Sequence, residues 1–182
     1  MRVGITGLSK NSPSIRMAGL RGCYLPVSVY SGVGALDNHW QNYQQACQET
    51  GREAKRSDHR VVRDVLVADT DADADARKLA IEGGMGKAWR EYMLPIYKHH
   101  NLLDSMISDP DMSSDDVDID WLCDNVWIIG SPDTVLEKLR AWRAENGEFG
   151  TLMIYNHDYS DDPAPWNESV HRLAQDIAPR LR

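Results

Sequence analysis

The sequence predicts an α/β fold whose strands form a parallel sheet. Short apolar runs alternate with longer amphipathic segments along the 182 residues, a pattern typical of repeated strand–helix units. Four such units and a closing helix fit either a small open sheet or half of an eight-unit barrel. The length is that of one ordinary domain, so we expect residues 1–182 to form a single domain.

Each element is predicted from its apolar pattern and from the residues that end it. Strands are expected at residues 3–6, in "CYLPVSVYS" from Cys23, in "RVVRDVLVADT" from Arg60 and in "FGTLMIYNHD" near the end. Helices are expected at residues 13–19, 37–51, 132–147 and 166–181, and within "DTDADADARKLAIEGG". The inward stripes are Trp40, Tyr43, Ala46 and Cys47; Val135, Leu136, Leu139 and Trp142; and Val170, Leu173, Ala174, Ile177 and Leu181.

Two acidic stretches need an explanation. The aspartates of "DTDADADARK" suit the positive end of a helix dipole, and they lack the glycine and terminal glutamate of a calcium loop. The second stretch, "SDPDMSSDDVDID", lies in residues 98–124 and contains few large apolar residues. We expect residues 98–124 to form an irregular surface loop or lid, inserted before the last strand–helix unit.

Composition excludes several classes of partner and site. The formal net charge of −8 argues against nucleic acid, because neutralising phosphates requires a basic face. No apolar run reaches a membrane span and no signal pattern opens the chain, so a cytoplasmic location is expected. Cys23, Cys47 and Cys123 form no CxxC pair, so we expect buried, reduced thiols and no metal site.

Two helices are predicted to start with serine–proline, and they differ in charge. "GSPDTVLEK" carries Asp133 in its first turn, which would itself answer the helix dipole, so this start is interpreted as structural. "SKNSPSIRM" has no acid there and offers Ser9, Asn11, Ser12 and Ser14 beside Lys10. It also follows directly on a strand, where α/β proteins bind ligands. From the residues alone, anion binding and simple capping are equally supported.

Histidines are the other candidates for functional residues. His157 belongs to "YNHDY" at the end of the last strand, where Tyr155, Asn156 and His157 would form either a pocket rim or an ordinary polar loop. His99 and His100 are interpreted as an exposed pair rather than metal ligands, and His39, His59 and His171 as incidental. The tryptophans are interpreted as packing residues. No triad or paired-carboxylate pattern identifies a catalytic residue, so these remain unknown.

Four stretches, in order, resemble the bacterial luciferase-like flavin monooxygenases, especially the limonene-monooxygenase-like members. They are "SPSIRMAGLRG", "RDVLVADTDADADARK", "WIIGSPDTVLEKLRAW" and "GEFGTLMIYNHD". The third is similar to a family pattern, I-G-[ST]-P-x-x-V-x-E-K-L. The resemblance implies the C-terminal half, about strands 5–8, of a (β/α)8 TIM-type barrel. Strands one to four would be absent, and with them the family's catalytic residues.

The resemblance also implies a function. Reduced FMN and O2 would oxygenate a small organic substrate, with a flavin reductase supplying the reduced flavin. By position in the family, Asn11, Ser12 and Ser14, and less directly Ser9, would hold the cofactor phosphate. The alternatives are a deazaflavin-dependent oxidoreductase and a non-catalytic flavin-binding or partner subunit. A dimer or a complementing N-terminal half is expected, and the isolated chain is expected to be poorly stable and nearly inactive.

Overall fold

The computed structural model describes residues 3–29, 34–68, 73–107, 109, 111–157 and 161–181. Within them the chain forms two compact units, each drawn from three segments. The first unit comprises Met1–Arg63, Asn101–Ser114 and Glu145–Met153, and the second comprises Asp64–His100, Asp115–Ala144 and Ile154–Arg182. Asp69 and Asp71 lie outside the described residues, so their predicted helix-start role stays a prediction.

Strands and helices alternate through much of the described chain. The strands are β1 (Val3–Gly7), β2 (Tyr24–Val29), β3 (Arg60–Arg63), β4 (Val65–Val67), β5 (Ile128–Gly130) and β6 (Thr151–Ile154). The α-helices are α1 (Pro13–Arg21), α2 (Ala35–Glu49), α3 (Asp73–Glu82), α4 (Gly84–Ala88), α5 (Leu94–His99), α6 (Ile119–Asn125), α7 (Pro132–Asn146) and α8 (Ala164–Arg172). Among the described residues, none of these helices combines the length and apolar character needed to cross a bilayer.

A four-stranded sheet in the order β1–β2–β3–β6 underlies the first unit. β1 runs parallel to β2, with Val3 opposite Tyr24, and β2 runs parallel to β3 from Val27 onward. Pro26 pairs only with Ile5 of β1, so its missing N–H falls where β3 has not yet joined the sheet. The parallel sheet and the alternation of elements confirm the predicted α/β class.

The outer and inner strands of this sheet differ in burial. The inner strands β2 and β3 contribute buried valines, which are Val27, Val29, Val61 and Val62. The outer strands β1 and β6 leave Val3 and Met153 each 45% exposed. Apolar side chains are therefore exposed on both outer strands of the sheet.

The predicted strand from Arg60 is divided at Asp64. β3 belongs to the first sheet, whereas β4 pairs in parallel with β5 in a separate two-stranded sheet of the second unit. The Asp64 carbonyl accepts a 2.9 Å bond from the Ile128 N–H, so the second ladder begins at this residue. The predicted single strand was wrong because one polar residue changes the pairing partner.

Helices α1 and α2 pack at close range in the first unit. Ile15 and Ala18 of α1 meet a stripe of α2 whose members are Trp40, Tyr43 and Cys47, and Ala46 is also fully buried. A β-carbon at Gly19 would lie 2.5 Å from that of Ala46 and 2.7 Å from the Tyr43 carbonyl oxygen. The predicted α2 stripe is confirmed, and Gly19 permits its approach to α1.

Residues 98–124 contain more structure than predicted. Short 3-10 turns occur at Leu103–Met106 and Ser114–Asp116, and α6 follows. The Asp118 carboxylate caps α6 by accepting a 2.8 Å bond from the Trp121 N–H, and Arg77 of α3 forms a 2.8 Å ion pair with Asp120. The acidic residues thus start and anchor a helix instead of forming only an irregular loop.

Two further packing predictions were wrong in part. Leu173 and Ile177, in a π-helical segment after α8, are buried as predicted, but Val170 and Ala174 are exposed and Ser169 of α8 is buried instead. The reason is that the Ser169 Oγ accepts a 2.8 Å bond from the Val67 N–H, which sets that face against β4. Cys23 is exposed rather than buried, whereas Cys47 and Cys123 are buried.

Candidate functional site

The turn between β1 and α1 carries the four predicted cofactor-binding residues. β1 ends at Gly7, where a β-carbon would lie 2.5 Å from the Ile15 Cγ1 and 3.0 Å from the Ser12 Cβ. Glycine therefore allows the start of α1 to approach the carboxyl end of the strand. Lys10 and Asn11 are exposed on this turn, and Ser12 is buried.

The start of α1 is left without a side-chain cap. Ser12 occupies the N-cap position in an extended conformation with Pro13 next, and its hydroxyl makes no capping bond to the helix. No acidic residue lies in the first turn. The positive end of the helix is thus not neutralised by its own first turn.

The hydroxyls of Ser12 and Ser14 are engaged with each other. Ser14 Oγ donates to the Thr6 carbonyl oxygen, which can only accept, and lies 2.8 Å from Ser12 Oγ. Because a hydroxyl has one proton, Ser12 must be the donor in that second bond. In this arrangement both hydroxyl protons are used in bonds within the turn, which leaves the backbone N–H groups and the exposed Lys10 ammonium as donors for an anion.

Two side chains of α2 hold the rest of the turn. The Asn38 Nδ2 donates at 2.6 Å to the Lys10 carbonyl and at 2.6 Å to the Asn11 Oδ1. The His39 Nε2 donates at 2.7 Å to the Ser9 carbonyl. Ser9, Lys10 and Asn11 are therefore each tied to α2.

His39 is one end of a buried chain of hydrogen bonds. Its Nδ1 lies 2.8 Å from Ser28 Oγ, which lies 2.8 Å from the Nε2 of His59. Ser28 and His39 are 0% exposed and His59 is 2% exposed. Burial lowers the pKa of both imidazoles, that of His39 despite its bond to the Ser9 carbonyl and that of His59 to about 4. The positive charge of Arg56 is the second cause at His59.

The sequence analysis treated His39 and His59 as incidental and so did not predict this series of hydrogen bonds. The sequence does indicate it, because polar residues occur at positions where the apolar pattern predicts burial. His39 lies next to Trp40 and four residues before Tyr43 on the buried side of α2, and Ser28 lies between two valines of β2. Because a buried polar residue needs a hydrogen-bond partner, two such residues are candidates to bond to each other.

In the second unit, Asp64 and His157 form a buried pair. The His157 Nε2 donates to the Asp64 Oδ1, and the side chains are 9% and 0% exposed respectively. No described residue bonds to the Asp64 Oδ2. Since a carboxylate only accepts, the bond to Asp64 places a proton on Nε2 of the His157 ring and fixes the orientation of that ring.

Tyr155 stacks on His157 beside a cavity of about 260 Å³. The ring centroids are 5.5 Å apart, and both side chains line the cavity with Gly84, Lys87, Ala88, Tyr92 and Met93. Burial, with the Asp64 charge as a second cause, raises the pKa of Tyr155 to about 12, so the phenol keeps its proton at neutral pH. Asn156 is exposed and is not among the residues that line this cavity.

The second serine–proline start is closed by its own residues. Ser131 Oγ accepts a 3.2 Å bond from the Thr134 N–H and lies 3.1 Å from the Thr134 Oγ1. Asp133 in the first turn forms a 2.8 Å ion pair with Arg180. Elsewhere, His99 and His100 are exposed, as expected, and the described residues contain no cluster of three potential metal ligands.

The sequence of this chain is similar to those of monooxygenases from Pseudomonas putida. The chain is 41% identical over 179 residues to 3,6-diketocamphane 1,6-monooxygenase of Pseudomonas putida, covering 98% of this chain and 47% of that protein. It is 40% identical over 184 residues to 2,5-diketocamphane 1,2-monooxygenase 1 of the same organism, covering 100% and 50%. The chain thus spans about half the length of the curated relatives it matches. No protein-family profile matches it.

Solved structures of monooxygenases are also similar to the structure of this chain. The oxygenating constituent of 3,6-diketocamphane monooxygenase from P. putida, a type II Baeyer–Villiger monooxygenase in complex with FMN, matches at a TM-score of 0.90 and 41% identity. The match covers 100% of this chain and 49% of that one. Monooxygenase RslO1 from Streptomyces bottropensis matches at a TM-score of 0.64 and 17% identity, over 100% of this chain and 48% of that one. That second likeness concerns the fold alone.

Proposed function

We propose that this chain, a member of the luciferase-like flavin monooxygenase family, supplies the C-terminal half of an FMN-dependent monooxygenase. The whole protein would use reduced FMN and O2 to oxygenate a small organic substrate. The observation that carries the proposal is the TM-score of 0.90 to an FMN-bound monooxygenase over all of this chain.

The strand order supports assignment to strands 5–8 of a (β/α)8 barrel. In a barrel, successive strands are parallel neighbours, and β1, β2 and β3 follow this rule, with β6 next in the sheet. The exposed apolar residues of β1 and β6, Val3 and Met153, lie on the two strands that strands 4 and 1 would join. A complementing N-terminal half is the partner that fits these two edges.

The turn after β1 fits the FMN phosphate. It joins an uncapped helix N-terminus to the Lys10 cation, with no acid in the first turn. Asn11, Ser12 and Ser14, with Ser9 at the start of the turn, would hold the phosphate. Their N–H groups would be the principal donors, because the two serine hydroxyls are used in bonds within the turn.

The cavity of the second unit suits a compact apolar substrate that carries a carbonyl group. Its walls include Ala88, Tyr92 and Met93, and the relatives are named for diketocamphanes. Tyr155 and His157 are proposed as its polar rim, whereas Asn156 lies outside the cavity lining. The bond to Asp64 would hold His157 in a fixed orientation at this rim.

When bound, reduced FMN supplies the two electrons with which one oxygen atom of O2 enters the substrate and the other leaves as water. The chain's own task is to hold the phosphate and to exclude water. Residues 98–124 are proposed as part of that cover. A separate flavin reductase, a cytoplasmic location and a dimer remain parts of the proposal.

A complementation experiment tests the proposal. The chain is mixed with, or fused to, the N-terminal half of the P. putida 3,6-diketocamphane enzyme. Retained flavin, oxygen uptake and ¹⁸O transfer from O2 to a bicyclic ketone are then measured. We expect FMN retention and labelled product from the combined halves and neither from either half alone.

The outcomes separate the alternatives. Loss of FMN from the combined halves, or product unlabelled by ¹⁸O, contradicts the proposal. Retention of deazaflavin in preference to FMN, seen from its blue-shifted absorbance, supports the deazaflavin-dependent oxidoreductase instead. FMN binding without oxygen uptake supports a non-catalytic subunit.

A further inference from the structure

We propose that His39 and Asn38 are positioning residues that aim the backbone N–H groups of the β1–α1 turn at the cofactor phosphate. Their bonds to the Ser9 carbonyl, the Lys10 carbonyl and the Asn11 Oδ1 measure 2.7, 2.6 and 2.6 Å. The inference rests on the proposed phosphate site and goes beyond it. It assigns a functional role to residues of α2, outside the turn itself.

Peptide geometry turns these bonds into an orientation. In a planar trans peptide the C=O and the following N–H point in opposite directions, and the described residues contain no cis peptide. Holding the Ser9 and Lys10 carbonyls toward α2 therefore turns the Lys10 and Asn11 N–H groups away from α2. Successive N–H groups exposed in this way form an anion-binding concavity.

The histidine–serine–histidine chain fixes which nitrogen of His39 donates. The Ser9 carbonyl only accepts, so the His39 Nε2 carries a proton, and in a neutral ring Nδ1 must accept from Ser28. The Ser28 oxygen in turn accepts from the His59 Nε2. The Nδ1 of His59 bonds to no described residue, so no acceptor there requires it to carry a proton. Ser28 and His59 thus hold His39 in the tautomer that reaches the turn.

A pair of matched variants separates positioning from mere stabilisation. The amide nitrogen of glutamine can replace His39 Nε2, whereas the shorter asparagine can replace only Nδ1. His39→Gln keeps a donor for Ser9 and His39→Asn loses it, although both put a neutral amide in the same buried site. Asn38→Ala removes the second tether from a half-buried position, and His99→Gln is an exposed histidine control.

Sulfate is the probe, because its charge does not change over the pH range in which histidine titrates. Binding is followed by the NMR shifts of the Lys10, Asn11 and Ser14 amides at pH 7, with far-UV circular dichroism as the folding check. We expect the wild type, His39→Gln and His99→Gln to bind alike, and His39→Asn and Asn38→Ala to bind about 10-fold more weakly. The imidazole ¹⁵N spectrum should show His39 and His59 both protonated at Nε2.

The results distinguish two failures. A folded wild type whose turn amides do not respond to sulfate overturns both the phosphate site and this inference. A wild type that responds, with His39→Asn and Asn38→Ala binding as tightly as His39→Gln, overturns the positioning role alone. If His39→Asn fails to fold, Asn38→Ala tests the positioning role by itself, because it leaves the hydrogen bonds of His39, Ser28 and His59 intact.

Discussion

Two helices of this chain begin with the same Ser-Pro pair, and the groups around their first turns differ. At α7, Ser131 caps the Thr134 N–H, and Asp133 adds a carboxylate paired with Arg180. At α1, Ser12 makes no cap bond, the first turn has no acid, and side chains of α2 hold the preceding turn instead. A helix start whose N–H groups are capped by its own residues has a structural role. A helix start without such a cap, whose preceding turn is held by a neighbouring helix, is suited to bind an anion.

A large difference between the two starts is expected in pH dependence. His59 has a folded pKa of about 4 against an ordinary 6.5, so the unfolded chain binds its proton more tightly. The resulting stability is complete above pH 6.5 and declines as pH falls toward 4, by about 2 kcal/mol at pH 5. Amide exchange should show α1 losing protection between pH 7 and 5 more than α7 does.

His99→Gln is the control variant for this pH effect, because His99 is exposed and lies outside the buried hydrogen bonds of His39, Ser28 and His59. A profile that is flat between pH 7 and 5 in the wild type would contradict the buried neutral assignment of His59.

A carboxylate placed at each N-cap tests the comparison most directly. Ser12→Asp puts a negative charge where the phosphate is proposed to bind, and like-charge repulsion should weaken sulfate or FMN binding by roughly 100-fold. Ser131→Asp should leave binding unchanged, because aspartate is as good a cap as serine. Isothermal titration of both variants measures the difference, and equal effects would remove the distinction between the two starts.

Removing each N-cap hydroxyl should have a smaller effect. The larger loss of stability is expected at Ser131, whereas the larger loss of binding is expected at Ser12. Ser131→Ala loses a helix cap and should lower the free energy of unfolding by about 1 kcal/mol. Ser12→Ala loses one hydroxyl–hydroxyl bond and should cost about 0.5 kcal/mol. Urea denaturation measures both, and a larger loss at Ser12 would mean that this serine acts as a cap after all.

The smallest effect is expected at the exposed ion pair of α7. Arg180 and Asp133 side chains are 48% and 77% exposed, so Arg180→Gln should cost only about 0.3 kcal/mol and the cost should vanish in high salt. Thermal unfolding at low and high salt measures it. A loss above about 1 kcal/mol that persists in salt would show that the start of α7 depends on this pair more than its geometry indicates.

Local patterns predicted the helices and strands well and their partners less well. The α2 stripe and the Val135, Leu136 and Leu139 face of α7 are buried as their spacing indicates, since periodicity reports which face avoids water. The strand from Arg60 was predicted as one element, because nothing in its residues reveals that Asp64 changes the pairing partner. The face of α8 was misassigned in part for the same reason, as the Ser169 bond to Val67 joins residues distant in sequence.

By itself, the sequence determined the α/β class, the acid-free start of α1 and the family resemblance, because these depend on the order and kind of neighbouring residues. Only the tertiary structure revealed that Asn38 and His39 hold the turn, that Ser28 and His59 set the tautomer of His39, and that Asp64 orients His157. Each of those contacts joins residues 11 to 93 positions apart. Directional bonds over such separations arise only when packing brings buried polar groups together and leaves them no water to bond.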